Sequence, residues 1–428
     1  MNRLRVAYGG LLVASSVFAA CGHRPPPAET PTQPDTPPPA ASQAWQEAER
    51  PLLSDWVQLT FRDKFIKAGE QYFSPDGSWV IFQAIAVPDS PAAAPGMFYS
   101  MYVAKVRRDS TGGILGLDEP FMISPPMSAN TCGWFHPTQP GRVMYGSTMG
   151  EPSGQERSGF QVGTNRYRWA FPSEMEIATQ TVRPITMTLS PREQAQCGTD
   201  YLASTLFTRE GYDAECSWDK SGRFVLYANV DQSKTTPDGR ADADIYIYDT
   251  QTHQHHPIVV APGYDGGPFF SPDGKRICYR SDRKNDDLLQ IYVADLKFET
   301  DASGTPVPVG MEREYALTSN SAVNWAPFWH PSGRYLVYGT SEVGHSNYEV
   351  FAVEFDREKL LAGRGDELRR RRVTHAPGAD VLPTFSADGT VLMWTSQRGA
   401  AAPGEEKPSS QIWVARWNGD PFGKEWRE

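Results

Sequence analysis

Asp265-Gly266-Gly267-Pro268-Phe269-Phe270-Ser271-Pro272-Asp273-Gly274-Lys275-Arg276-Ile277-Cys278-Tyr279-Arg280-Ser281-Asp282-Arg283, followed by Gln290-Ile291-Tyr292-Val293-Ala294-Asp295, reads as strand, tight turn, strand, loop, strand. An Asp-Gly pair between two apolar runs is the strongest short-range hairpin signal. The same pattern recurs along the chain. An aromatic precedes each turn at Phe73, Phe135, Trp218, Phe270, Trp329 and Phe385, and a turn glycine follows at Gly77, Gly141, Gly222, Gly274, Gly333 and Gly389. Five of the six pairs are four residues apart, and Thr138-Gln139-Pro140 lengthens the second turn. The next run of each copy carries an aromatic at Phe82, Tyr145, Tyr227, Tyr279, Tyr338 or Trp394.

A third strand is expected at 101–104, 175–178, 245–248, 291–294, 350–353 and 412–415, and a fourth at 57–60, 121–124, 185–186, 257–259, 316–318 and 372–374. Six units of four strands predict an all-β, six-bladed propeller, because each blade can bury its faces only against its neighbours and ring closure removes the open ends. The last copy stops at its third strand while residues 57–60 precede the first. That N-terminal strand is therefore expected to complete the last blade. Spacings of 64, 81, 52, 59 and 56 residues between turn glycines exceed the roughly 40–45 of a compact blade, so the surplus belongs to loops.

Composition agrees with a β-rich chain: 428 residues, 37 Gly and 36 Pro for turns, 20 Phe, 18 Tyr and 12 Trp for strands. A net charge of -10 argues against a nucleic-acid partner, which needs a basic surface to neutralise phosphates. Residues 1–20 read as a lipoprotein signal peptide, with Arg3 and Arg5 before an apolar run that ends at Ala19-Ala20-Cys21. Cys21 resembles the lipidated cysteine of a lipobox; ordinary cleavage near Ala20 would instead give a secreted protein. Residues 21–50, with prolines at 25, 26, 27, 31, 34, 37, 38 and 39, read as a semi-stiff tether. Residues 51–417 are assigned to the propeller and 418–428 to a C-terminal tail.

The Ser-Pro-Asp-Gly turns at 74–77 and 271–274, with Ile291-Tyr292-Val293 downstream, resemble the TolB-type propeller repeat, also described as the WD40-like PD40 repeat. The likeness covers residues 52–417. It lacks a counterpart of the α/β domain that precedes the propeller in TolB itself, since only the tether stands there. The resemblance implies an envelope protein of the bacterial periplasm. With Gly22 after Cys21, likeness to other lipoproteins favours the outer membrane.

Five residues before each aligned aromatic stand Ala68, Asn130, Asp213, Asp265, Asn324 and Asp380. Inner strands line the axis of a propeller, so these residues are expected near one mouth of its channel, as a binding site. Oxygen donors of this kind suit Ca²⁺, which TolB-like propellers are known to take, and Asp213, Asp265 and Asp380 are the candidate ligands. The other reading has them bonding local backbone at strand starts. His253, His255 and His256 are expected in a hairpin turn, and His136 and His330 as loop hydrogen-bonding residues. Arg369 to Arg372 could face an anionic partner or simply charge an edge strand. Cys197 could pair with Cys132 or Cys216, while Cys278 reads as a buried free thiol. Gly-x-Ser-x-Gly, His-Glu-x-x-His, phosphate-loop and dinucleotide motifs are missing. The expectation is thus a non-catalytic, monomeric scaffold needing no cofactor, bound to the membrane through its lipid only and recognising an envelope protein or peptide. A polysaccharide-binding or polysaccharide-cleaving propeller is the alternative.

Overall fold

The computed structural model describes residues 41–88, 98–153, 171–186, 203–235, 241–286 and 288–423. Cys21, the signal peptide and Cys197 lie outside them. Helix α1 (Ala41–Glu49) leads into β1 (Leu53–Gln58). Blade 1 then comprises β2 (Phe65–Phe73), β3 (Trp79–Ala86) and β4 (Ser100–Arg108), with β5 (Ile114–Leu117) and β6 (Phe121–Met122) both paired to β4. Blade 2 comprises β7 (Asn130–Phe135), β8 (Arg142–Ser147), β9 (Glu176–Thr181) and β10 (Ser204–Thr205). Blade 3 comprises β11 (Tyr212–Trp218), β12 (Phe224–Thr235), β13 (Ala241–Asp249) and β14 (Gln254–Val259). In blade 4, β15 (Asp265–Phe270), β16 (Arg276–Ser281), β17 (Gln290–Thr300) and β18 (Pro306–Ala316) follow, and in blade 5, β19 (Asn324–Trp329), β20 (Tyr335–Thr340), β21 (Glu349–Glu354) and β22 (Arg370–Arg372). Blade 6 takes β23 (Asp380–Phe385), β24 (Val391–Ser396) and β25 (Gln411–Trp417), and its fourth strand is β1.

All six blades are therefore antiparallel meanders arranged as a propeller. The ring is fastened by β1, which pairs Leu53 with Trp417 and Gln58 with Trp413. The closing strand starts four residues earlier than expected. It begins at Leu53 because Leu52 and Leu53 are the residues that fill the core between blades 5 and 6, against Val350, Trp394 and Trp417. Another departure is in blade 2. The Ile185-Thr186 segment, expected as its outer strand, is a short helix (Arg183–Thr186), and β10 supplies that strand instead. Pro184 explains the difference, since it lacks the N–H that a ladder needs.

Neighbouring blades interlock through their turns. His136 follows the first strand of blade 2, and its Nδ1 accepts the N–H of Gln139 at 3.0 Å. Its ring lies so close to the next blade's turn that a Cβ on Gly222 would stand 2.3 Å from it, and the φ of 74° there already favours glycine. His330 of blade 5 meets Gly389 of blade 6 in the same way. Both histidines thus have the loop-bonding role that their positions predict, with a seam contact added.

Because strands alternate in direction, segments entering each first strand and those joining second to third strands share one face of the disc. The latter connect strands 13, 28 and 14 residues apart in blades 1, 2 and 6, and residues 89–97 and 154–170 of them lie outside the described residues.

Candidate functional site

Each innermost strand carries one extra residue, and this bulge decides what the strand presents. Register shifts fall at 69/72, 131/134, 214/217, 266/269, 325/328 and 381/384. The bulged residues Glu70, Cys132, Glu215, Gly267, Ala326 and Leu382 all adopt φ between 49° and 59°. A conformation that is costly for non-glycine residues has been kept in five of six copies, which marks it as a feature of the architecture.

The bulge separates the polar ring expected from sequence from the axis. Asn130, Asp265, Asn324 and Asp380 begin their innermost strands and Asp213 is the second residue of its own; all are buried and lie opposite Ser147, Ser281, Thr340, Ser396 and Asn229 respectively. Their bonds are made inside or beside their own blades, and Asp213 Oδ2 and Asp265 Oδ2 are buried without a partner. Asn130 Nδ2 donates to the carbonyls of Tyr99 and Ser128, and Asp213 Oδ1 accepts from Asn229 Nδ2 at 2.8 Å. Asp265 Oδ1 accepts from Arg283, Asn324 Oδ1 from Thr340, and Asp380 from Trp394 Nε1 and Arg398. Among the described residues, no group of three or more His, Cys, Asp or Glu side chains is placed to hold a metal ion. The calcium expectation at Asp213, Asp265 and Asp380 therefore has no shared cage behind it, because two of the three carboxylates already have a guanidinium as their cation.

Two residues further on, the bulged side chains meet across blade boundaries. Glu70 of blade 1 accepts from Thr131 Oγ1 at 3.1 Å and Cys132 Sγ at 2.9 Å, both on blade 2. Glu215 of blade 3 accepts from Tyr264 Oη at 2.7 Å, from the backbone N–H of Gly267 and from Arg280 at 3.3 Å, all belonging to blade 4 or its entry. Gly267 is required here: a Cβ would stand 2.1 Å from Arg280 Nη1. Burial raises the Glu70 carboxyl above its ordinary range and pushes the Cys132 thiol well up, so this thiol is held protonated rather than activated.

Below this polar layer the axis is filled. Tyr72, Trp134, Phe269 and Phe328 come from blades 1, 2, 4 and 5, and their ring centroids lie 4.8–6.4 Å apart. Tyr72 touches Phe269, and Trp134 touches Phe328, so opposite blades meet across the centre. The two remaining blades, also opposite each other, supply the small Ser217 and Thr384, whose hydroxyls bond the backbone of the next inner strand at Pro268 and Gln71. Four large and two small side chains close the axis in the way packed cores do. These residues immediately precede the six aligned aromatics, so the signal for them was present in the repeat at a neighbouring register.

Glu176 of blade 2 and Asp213 of blade 3 repel each other across the blade seam. Glu176 Oε2 and Asp213 Oδ2 are buried without hydrogen-bond partners. Burial, followed by the Asp213 charge, pushes Glu176 up to about 7, while Arg209 pulls the other way. Burial pushes Asp213 up to about 6. Asp265 and Glu349, pushed up by burial to about 7 and about 8, act in the same sense. A carboxyl whose folded pKa exceeds its unfolded value stabilises the fold below about pH 4.5 and loses that contribution as pH rises through the folded value. These four carboxyls are therefore expected to withdraw stability between about pH 4.5 and 8, opposed up to about pH 6.5 by His255 and His330, which burial pushes down to about 4. Glu176→Gln should flatten this slope and leave the variant more stable than the parent at pH 8, as read by urea unfolding. An unchanged slope would show that Glu176 is not protonated in the fold.

The other expected sites resolve into structure. His253 lies in the turn before β14, with φ 60°, while His255 and His256 lie on β14 itself. His255 Nδ1 is 2.8 Å from Tyr227 Oη, and burial, Arg209 and His256 push its pKa down to about 4. The arginine run is engaged: Arg369 with Glu354, Arg370 with Glu342, Arg371 with the Pro421 carbonyl, and Arg372 with Glu349. Cys132, Cys216 and Cys278 are buried free thiols.

No family model matches the chain. It is 33% identical over 115 residues to dipeptidyl-peptidase 5 of Porphyromonas gingivalis, covering 26% of this chain and 16% of that protein. It is 27% identical over 216 residues to the Tol-Pal system protein TolB of Wolinella succinogenes, covering 47% and 44%. The chain thus spans less than half the length of the curated relatives it matches. Among solved structures, the putative TolB of Agrobacterium tumefaciens aligns over 82% of this chain and 90% of its own, with 13% identity and a TM-score of 0.45.

Proposed function

We propose that this TolB-like β-propeller is a non-catalytic scaffold of the bacterial periplasm, tethered by a lipid on Cys21, that binds an envelope protein or peptide. The observation that carries this reading is the contrast between a filled axis and one loop-rich face. Tyr72, Trp134, Phe269 and Phe328 leave the axis no room for a substrate channel at their level. The face formed by the strand entries and the second-to-third-strand connections carries Phe61, Met127, Val260 and Val343, which are 42–66% exposed, and the opposite face carries Leu115, Phe298, Met311 and Leu361, which are 37–57% exposed. Four apolar side chains on separate blades of one face suit contact with a macromolecule better than recognition of a small substrate. A Tol-Pal system protein is among the relatives, and its membership of a protein system supports the same direction. No described helix is long and apolar enough to cross a membrane, so membrane attachment in this reading rests on the lipid.

In-cell crosslinking of the full chain tests it. One envelope protein should be captured by the parent and lost from a folded Met127→Asp/Val260→Asp variant. Equal capture by both proteins would place the partner elsewhere, and absence of capture would remove the scaffold reading.

A further inference from the structure

A cavity of about 290 Å³ opens beside the ring-closing seam, between the end of β1 and the 397–410 segment of blade 6. Its volume lies just below the ~300–1,000 Å³ of ligand pockets, enough for one ring or side chain. Two of its lining side chains, Arg398 and Gln411, are buried, whereas Phe61 and Asp63 are exposed at its opening.

The electrostatics select among ligands. Arg398 is matched by two carboxylates, Glu49 and Asp380, and Arg62 by Glu405, while Asp63 adds a negative charge at the opening. An anion finds no uncommitted guanidinium here, and a cation would face the buried one. The polar lining consists otherwise of groups with two hydrogen-bonding ends or a rotatable hydroxyl: Gln58, Gln411 and Ser409. Gln411 Nε2 is held by the Phe65 carbonyl and Ser409 Oγ, its Oε1 is buried without a partner, and Gln58 Nε2 donates to the Thr60 carbonyl. Phe61 provides one flat apolar plate beside these polar groups. A ligand with alternating hydroxyls, one C–H-rich face and no net charge matches this set.

We propose that the seam cavity is a saccharide subsite taking one uncharged pyranose ring of a glycan. The amides and Asp63 contact ring hydroxyls, and Phe61 covers the apolar ring face. The cavity shares Phe61 with the face assigned to a macromolecule above, but its occupant is tested without any partner protein, so the two readings fail separately.

Chitotriose, cellotriose and maltotriose, with trigalacturonate as the charged comparison, are titrated into the full propeller by ligand-observed NMR and calorimetry. At least one neutral trisaccharide is expected to bind at micromolar to millimolar concentration. Phe61→Ala and Asp63→Asn should each weaken it by about tenfold with unchanged thermal unfolding, because both side chains are exposed. Failure of all the neutral sugars to bind, preference for trigalacturonate, or equal binding by the parent and both variants would each overturn the proposal.

Discussion

Arg398→Ala is expected to cost about 3–5 kcal/mol of stability, the loss typical of removing one partner from a buried ion pair. The side chain is 1% exposed and serves two carboxylates at once. Its Nη1 and Nη2 donate to the Glu49 oxygens at 3.1 and 3.0 Å, Nη2 also donates to Asp380 Oδ2 at 2.6 Å, and Nε donates to Ser396 Oγ at 3.0 Å. The guanidinium also sits over Trp45 at 4.5 Å and Trp394 at 4.8 Å. Without it, two buried carboxylates face each other with no cation between them, and α1 loses the contact that fixes Trp45. Glu49 is already raised by burial. Because Glu49 can escape the penalty by protonating, the defect should be larger at pH 8 than at pH 5. Chemical unfolding at the two pH values measures it. A loss below about 1 kcal/mol at both would mean that the pair behaves like an exposed one.

Removal of Leu52 to Thr60 should have the largest effect of any short deletion. Leu52, Leu53 and Leu59 are all buried, and each is worth about 1.5–3 kcal/mol on burial, so about 5–9 kcal/mol is lost before any ladder bonds are considered. That is comparable with the whole stability of an ordinary domain, roughly 5–15 kcal/mol. The deletion also bares β25 as an unpaired edge, which invites association between copies. A soluble protein with much lower thermal stability and concentration-dependent association is expected. Leu53→Ala, which keeps the strand and removes only its fully buried side chain, should cost about 2–5 kcal/mol and separate packing from pairing. Unchanged thermal unfolding of the deletion protein would show that β1 does not fasten the ring.

The repeat itself was legible in full. Aromatic, turn glycine and the next apolar run recur in six copies because each copy must build the same hairpin against the same kind of neighbour. Closure by an N-terminal strand followed from counting strands, since the last copy is one short. The outer strands were less legible: β10 and β22 are two and three residues long, and a strand that short has no periodicity to read. The extra strand β5 carries Gly116 and pairs at the blade's rim, where the packing that enforces alternation is weakest.

For the site, polar residues at the starts of the inner strands were legible and their partners were not: Asp213 bonds across its hairpin, while Asp265 and Asp380 reach arginines just past the ends of their second strands. Arg283 lies 18 residues from Asp265, and Arg398 the same distance from Asp380, so each pairing rests on where the second strand of its blade ends.

Sequence alone determined the number of blades, the turn chemistry and the need for a closing strand, because these depend on local conformational preference and on a hydrophobic pattern that repeats. Tertiary structure alone decided which side chains reach the axis. One bulged residue per inner strand, with a positive φ that no composition signals, rotates Glu70, Cys132 and Glu215 into contact with neighbouring blades and leaves the expected ring inside its own blades. A strand has a period of two, so a single inserted residue reassigns every face beyond it.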